Sequence, residues 1–259
     1  MVEVADLPPE TAGPQKTPTA KEAADYILID DLAALDRWLD EARDKGLLCV
    51  DTETTSLTPA CAKLVGVSLA IVPERAAYIP VGHTVEADLL GDNGNAKHKQ
   101  LAVAAVIARL KPVLEDESIL KIGHNIKYDW QIFANHGIRM AAMDDSMLLS
   151  YVLDGTQHGH GMDEHSELLL GHKTISYEDV TGKGKSQISF DKVDIAKACD
   201  YAAEDAEITL RLHQILKPRL IHEHMVRVYE DIERPLIPVI AQMEHTGIRI
   251  DTAFLKSLS

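Results

Sequence analysis

Apolar positions change period along this chain, and the changes mark out its elements. In DLAALDRWLDEARDK (31–45) they fall at 32, 35, 38, 39 and 42, a helical spacing. Gly46 follows, where helices commonly end in a left-handed residue. Three runs of strand character come next, at 47–53, 63–71 and 76–81. Thr58-Pro59 and Pro73-Glu74-Arg75 suit the turns between them, and connections this short favour an antiparallel meander. Residues 99–115 read as an alanine-rich helix that Pro112 ends or kinks. A strand at 119–122, a helix from Asn125 to Asn135-His136-Gly137, and another over 144–153 follow. The longest helical pattern covers 192–216, where Lys217-Pro218 breaks it. Residues 223–245 resume as an amphipathic helix interrupted by Pro235 and Pro238. A meander followed by strands alternating with helices predicts an α/β fold.

Composition narrows the class. The 259 residues are 46% hydrophobic, as in globular proteins, and no apolar run approaches the ~18 residues of a membrane span. Residues 1–25, rich in Pro, Thr, Ala and Glu, read as a flexible linker without the basic start and apolar core of a secretory signal. Cys49, Cys61 and Cys199 form no CxxC pair and read as reduced packing residues of a cytoplasmic protein. The net charge of −15 is a poor footprint for a stand-alone nucleic-acid binder. It suits a domain that handles a few terminal nucleotides while another domain holds the duplex, or it serves solubility alone.

The chemistry lies in five residues. Asp51 and Glu53 end the apolar run LLCVDTET, and a strand aims residues two apart to the same side. Asp129 closes GHNIKYD, where a short apolar run gives way to a helix. Tyr201 and Asp205 lie one helical turn apart in YAAED. Four converging carboxylates repel one another and are tolerable with cations among them. Hard oxygen ligands suit Mg²⁺ or Mn²⁺, and two such ions roughly 3.5–4 Å apart form a clamp for in-line phosphodiester cleavage. Tyr201, a phenol with an ordinary pKa of about 10, is a poor base and is suited to orienting an attacking water. Glu204 and Glu207, beside Asp205, read as surface residues.

The segments VDTETTSL, GHNIKYD and YAAEDAEIT resemble the 3′–5′ proofreading exonuclease domain of bacterial DNA polymerase I, of the DEDDy exonucleases, and the similarity runs over about residues 26–255. The resemblance implies a ribonuclease-H-like three-layer sandwich, a mixed central sheet flanked by helices. It also implies two divalent ions, Mg²⁺ or Mn²⁺, with Asp51 bridging both, Glu53 and Asp205 completing the first site and Asp129 supporting the second. The substrate would be a frayed or single-stranded DNA 3′ end, gripped by Leu57, Asn125 and Tyr128 and, more weakly indicated, Met147 and Tyr177. Residues 26–216 would form the exonuclease domain, and residues 217–259 the helical start of a polymerase domain. The same five residues also fit a ribonuclease D-type exoribonuclease, and a non-catalytic spacer is the reading of another class.

Three features stand outside this assignment. His158, His160, His165 and His172, with interleaved glycines and no cysteine partner, read as solvated loop histidines. GKGKS at 182–186 lacks the first glycine of a phosphate-binding loop and reads as a mobile basic loop near the DNA backbone. Gly159 stands where the family often carries an arginine, which leaves one phosphate contact without its expected donor.

Overall fold

The computed structural model describes residues 24–84 and 99–258. Apart from Ala24 and Asp25, the expected linker lies outside them. Six strands form one sheet: β1 (Asp25–Leu28), β2 (Leu47–Thr54), β3 (Leu64–Val72), β4 (Arg75–Pro80), β5 (Leu120–Gly123) and β6 (Met143–Asp145), in the order β1-β4-β3-β2-β5-β6. The β2–β3–β4 meander is antiparallel as expected, whereas β1 pairs with β4, and β5 with β2 and β6, in parallel. The sheet is therefore mixed.

Helices cover both faces. Helix α1 (Leu32–Lys45) starts at Asp31, whose side chain accepts from the Ala34 N–H, and ends at Gly46 with φ 68°. With α2 (Val103–Leu114) and α3 (Lys127–Asn135) it buries Leu48, Val50, Val67 and Leu69 on one side of the sheet. The opposite face carries Cys49, Ala70, Ala76 and Ile122 against Ala203, Ala206 and Leu210. Those three belong to the longest helix, Ile195–His222, which is α7 in chain order after α4 (Ser146–Asp154), α5 (Met162–His165) and α6 (Tyr177–Thr181). Small residues at 202, 203 and 206, all fully buried, let α7 lie close on the sheet. Beyond it come α8 (Val226–Val228), α9 (Arg234–Thr246) and α10 (Thr252–Leu258). No helix among the described residues is long and apolar enough to cross a membrane.

Several expectations need correcting. Helix α7 does not stop at Lys217-Pro218 but runs to His222 with Pro218 inside it. Pro218 and Gln214 are both exposed, so water can take the carbonyl that proline leaves unpaired. Residues 143–145 are a short strand where a helix start was expected, and a three-residue pairing with β5 is too short to carry a periodic signal. Residues 99–102 precede α2 and are not helical. Strand β1 was not anticipated; its DYIL is too short to show alternation. Cys49 and Cys199 are buried and free as expected, but Cys61 is exposed in a turn.

Candidate active site

The two-residue period of β2 sorts its side chains. Cys49 faces α7, and Asp51 and Glu53 follow it on that side. Asp205, four residues after Tyr201 on α7, reaches the same point. The carboxylates of Asp51, Glu53 and Asp205 each place an oxygen within 4.8 Å of the others. Thr52 faces the other way, and its hydroxyl donates to the Asp129 carboxylate on α3 at 2.6 Å. Asp129 therefore approaches from across the strand and stands outside that three-carboxylate group.

Asp129 owes its place to a cap at the start of α3 that no local pattern announces. Asn125 takes a left-handed φ of 59°, and the N–H groups of Asn125 and Ile126 both donate to the buried Asp145 carboxylate at 3.0 Å. The same carboxylate accepts from the Met147 and Leu148 N–H groups at the start of α4. One side chain thus fixes two helix starts, and α3 presents Asp129 in its first turn.

All four acids resist ionisation. Burial, against the Thr52 backbone bond, pushes Asp51 up to about 6. Burial and then the charges of Asp51, Asp205 and Asp129 push Glu53 well above the carboxylate range. Burial and Asp51 do the same to Asp129 and Asp205. Burial and the charges of Asp205, Glu53 and Asp51 raise the Tyr201 phenol far beyond its ordinary value, so it stays protonated and can donate.

Asp51, Glu53, Tyr201 and Asp205 line a cleft of about 860 Å³ with Thr54, Leu57, Tyr128, Tyr177, Ile188 and Ser189 among its walls, whereas Asp129 does not reach its lining; among the described residues no lysine or arginine lines it. One oxygen of Asp205 is buried without a hydrogen-bond donor. Clustered hard oxygen donors, an orphaned carboxylate oxygen and the lack of a neighbouring cation fit a divalent ion of the Mg²⁺ or Mn²⁺ kind.

Of the expected nucleotide contacts, Leu57 stands 94% exposed at the lip and touches both the cleft and an adjoining groove that Asn125 and Tyr128 share. The Tyr128 hydroxyl is already engaged, donating to Ser56 O at 2.6 Å and paired with the Thr54 hydroxyl. Tyr177, half-exposed, lies edge-on to Tyr201 with ring centroids 6.3 Å apart. Met147 does not line the cleft; it borders a hollow against Leu236 and Ile240 of α9.

The neighbouring acids were misjudged. Glu204 and Glu207 are buried. Glu204 accepts from His172 Nε2 at 2.7 Å and the Ile175 N–H at 2.6 Å, tying the 172–175 segment to α7. Glu207 accepts the Glu74 N–H at 3.0 Å and holds the β3–β4 turn. Both lie on helix turns that a sequence shows only as polar. The GKGKS segment is a short helical turn at Gly184–Ser186 with Lys183 bridged to Glu178; the residues just after it, 187–189, reach the cleft. The four histidines are not solvated: His165 is fully buried, and the other three are partly so.

A mixed α/β sheet with helices on both faces and acids gathered beside its second strand is the architecture of the ribonuclease-H-like nucleases. The chain belongs to the 3′–5′ exonuclease family, whose model matches residues 26–221. It is 49% identical over 244 residues to DNA polymerase I of Rhizobium leguminosarum, covering 90% of this chain and 24% of that protein. With DNA polymerase I of Pseudomonas aeruginosa it shares 42% over 247 residues, 94% of this chain and 26% of the relative. The chain thus spans about a quarter of the length of these relatives. Among solved structures, Pol1 of M. smegmatis in complex with DNA primer-template and dNTP superposes with a TM-score of 0.65 at 18% identity, covering 86% of this chain and 33% of that one. Escherichia coli RNase D gives 0.60 at 20%, covering 85% and 51%. The expected family and fold are borne out.

Proposed function

We propose that this domain removes nucleotides one at a time from a DNA 3′ end by divalent-metal-dependent hydrolysis, as the proofreading exonuclease of a cytoplasmic bacterial DNA polymerase I. The observation that carries this reading is a cleft in which three acids converge and which, among the described residues, no lysine or arginine lines. A phosphodiester cannot approach such a surface unless cations offset the charge.

Asp51, Glu53 and Asp205 would hold one divalent ion, and Asp129, steadied by Thr52, would support a second beside Asp51. When bound, such ions supply the positive charge that activates water and offsets the departing oxygen. Tyr201, whose hydroxyl bonds the Asp205 carboxylate, would turn that hydrogen bond to the attacking water, keeping its proton, and hold the water in line with the scissile bond. The water oxygen bonds to phosphorus, the bond from phosphorus to the penultimate 3′ oxygen breaks, and that oxygen takes up a proton. The products are a 5′-mononucleotide and a strand shortened by one. Leu57, with no protein neighbour to cover it, wedges beside a terminal base. The Tyr128 and Tyr177 rings offer faces or edges to any base, and Asn125 contacts the backbone in the adjoining groove.

A polymerase domain in the same polypeptide is the proposed partner, with residues 217–259 as its beginning. What supports this is apolar surface left open on α9, α10 and the segment between them: Val239, Met243, Ile248, Phe254 and Leu255 are all more than half exposed.

The test is digestion of 5′-labelled DNA and RNA strands in Mg²⁺, in Mn²⁺ and in chelator, with wild type and Tyr201→Phe. We expect mononucleotides from DNA with metal only. The phenylalanine variant should be slower by on the order of 10²-fold, the cost of a misplaced reacting atom, with metal affinity retained. Full activity in chelator would overturn the metal-dependent reading, and faster digestion of RNA would move the substrate to ribonucleic acid.

A further inference from the structure

A second gathering of ligand-type side chains lies outside the carboxylate cleft. His158, His160 and His165 each bring a ring nitrogen within 4.8 Å of the others, and their ring centroids are 5.1–5.8 Å apart. His158 and His160 come from the loop after α4, and His165 from the end of α5. The Ser150 hydroxyl on α4 sits between two of them, 2.7 Å from His160 Nδ1 and 2.6 Å from His165 Nε2.

The hydrogen bonding here is incomplete. One hydroxyl has one proton, so it can satisfy only one of those nitrogens as an acceptor; the other must donate. His165 is fully buried, yet its Nδ1 has no partner. The His124 ring packs edge-on against His165, with centroids 6.2 Å apart. Orphaned polar atoms in a dry site cost free energy, and a folded chain keeps few of them. Asp154 lies 3.5 Å from His158 Nε2 and is itself clamped by Arg219 through contacts of 2.7 and 3.2 Å. A fixed carboxylate behind an imidazole is the arrangement that orients a ligating histidine.

We propose that His158, His160 and His165 form a binding site for a divalent transition-metal ion of the zinc type, separate from the carboxylate site. The donor sets divide the metals between the two places. Imidazole nitrogen suits Zn²⁺ and its neighbours, whereas clustered carboxylates suit Mg²⁺ and Mn²⁺. Zinc–nitrogen bonds of about 2.0–2.1 Å require the three nitrogens to close in from their present spacing. His165 is held by the core, so the movement falls to the 155–161 loop, which Gly155, Gly159 and Gly161 make pliable. His160, keeping its Nε2 bond to the Gly155 carbonyl at 2.7 Å, would exchange the Ser150 hydroxyl for the ion, and His158 would exchange the Gly159 carbonyl, 2.6 Å from its Nδ1. The bound ion would pin this loop to α5, and so brace the segment that carries Asp163, whose charge reaches Asp205.

The experiment uses the full chain, stripped with chelator and titrated with Co²⁺ as a spectroscopic probe and then with Zn²⁺. Three variants accompany it: His158→Asn/His160→Asn, Asp154→Asn and Asp205→Asn. We expect one equivalent of Co²⁺ to give the visible absorption of a nitrogen-rich tetrahedral site, displaced by Zn²⁺, with Zn²⁺ raising Tm. The signature should persist in Asp205→Asn and vanish in the double histidine variant, with that variant's Mn²⁺ binding intact as proof of folding. Asp154→Asn should weaken Zn²⁺ binding by roughly 10–100-fold, the usual loss of an orienting partner. The proposal is overturned if no such absorption develops. It is equally overturned if the signature survives the histidine changes and disappears with Asp205→Asn, which would place the ion on the carboxylates.

Discussion

Four carboxylates held in a buried pocket are, by themselves, a source of instability. Burial holds Asp51 at about 6 and Glu53, Asp129 and Asp205 well above their ordinary range, whereas in the unfolded chain such groups titrate near 3.9–4.3, by about the model-peptide values. Between those limits the folded state binds protons that the unfolded state has released. The contribution of these groups is therefore favourable at low pH and is lost as pH rises from about 4 through their folded values. In chelator, Tm should fall across that window. Asp205→Asn should flatten the fall and raise Tm above wild type at pH near 8, because it removes one charge from the cluster and its amide can donate to the remaining acids. Added Mg²⁺ or Mn²⁺ should stabilise wild type more than the variant. A thermal melt series across pH, with and without metal, reads all three effects; a variant less stable than wild type in chelator at high pH would contradict the electrostatic account. Function thus occupies residues that fold against a penalty, a common trade at active sites.

Strand β3 and helix α7 must both lie close to β2 for the acids to meet, and small residues make this possible. Gly66 pairs with Glu53 across the sheet, and the buried Tyr78 ring covers it so closely that a methyl group there would sit 2.1 Å from the phenol oxygen. Tyr78 has little freedom to withdraw, since its hydroxyl pairs with His83 Nε2 at 2.7 Å and the other nitrogen of that ring meets Val193 O at 3.1 Å. Burial lowers His83 to about 4, which keeps this bridge neutral. Gly66→Ala should destabilise the domain by about 1–3 kcal/mol, the usual cost of overpacking. For a domain of this size that corresponds to roughly 2–4 °C in Tm per kcal/mol. It should also slow cleavage, because Glu53 lies directly across from the strained position. Unchanged Tm would show that Tyr78 can swing away.

At the scale of the molecule, a net charge of −15 and a cleft that no lysine or arginine among the described residues lines leave little long-range attraction for a polyanion. The domain should bind DNA weakly alone and act on ends delivered to it as single strands. Mismatched termini cost less to unpair than matched ones, so rates should fall in the order single-stranded, mismatched duplex, fully paired. A time course on the three 3′ ends, with product sizing, measures this. Equal rates would remove the physical basis for proofreading, and oligonucleotide products would remove the terminal-nucleotide roles of Leu57, Asn125 and Tyr128.

The local code was enough for most elements and for the convergence of Asp51 and Glu53 with Asp205. Strand alternation put Asp51 and Glu53 on one side, helix spacing joined Tyr201 to Asp205, and Asp31 and Gly46 bounded α1, because each relation spans only a few residues. What the sequence could not determine were relations between distant segments. Thr52 and Asp129 are 77 positions apart, and their bond puts Asp129 across the strand from the other acids. Glu207 bonds to a backbone group 133 positions away, so a residue that reads as solvated is buried. The carboxylate of Asp145 caps two helices, one of which begins upstream of it. The imidazoles of His158, His160 and His165 converge because α4 and α5 fold the intervening loop back on itself, which no period in a glycine-rich stretch reports. Pattern specifies which way a side chain leaves its own backbone; burial and partners depend on what the rest of the chain brings to that side.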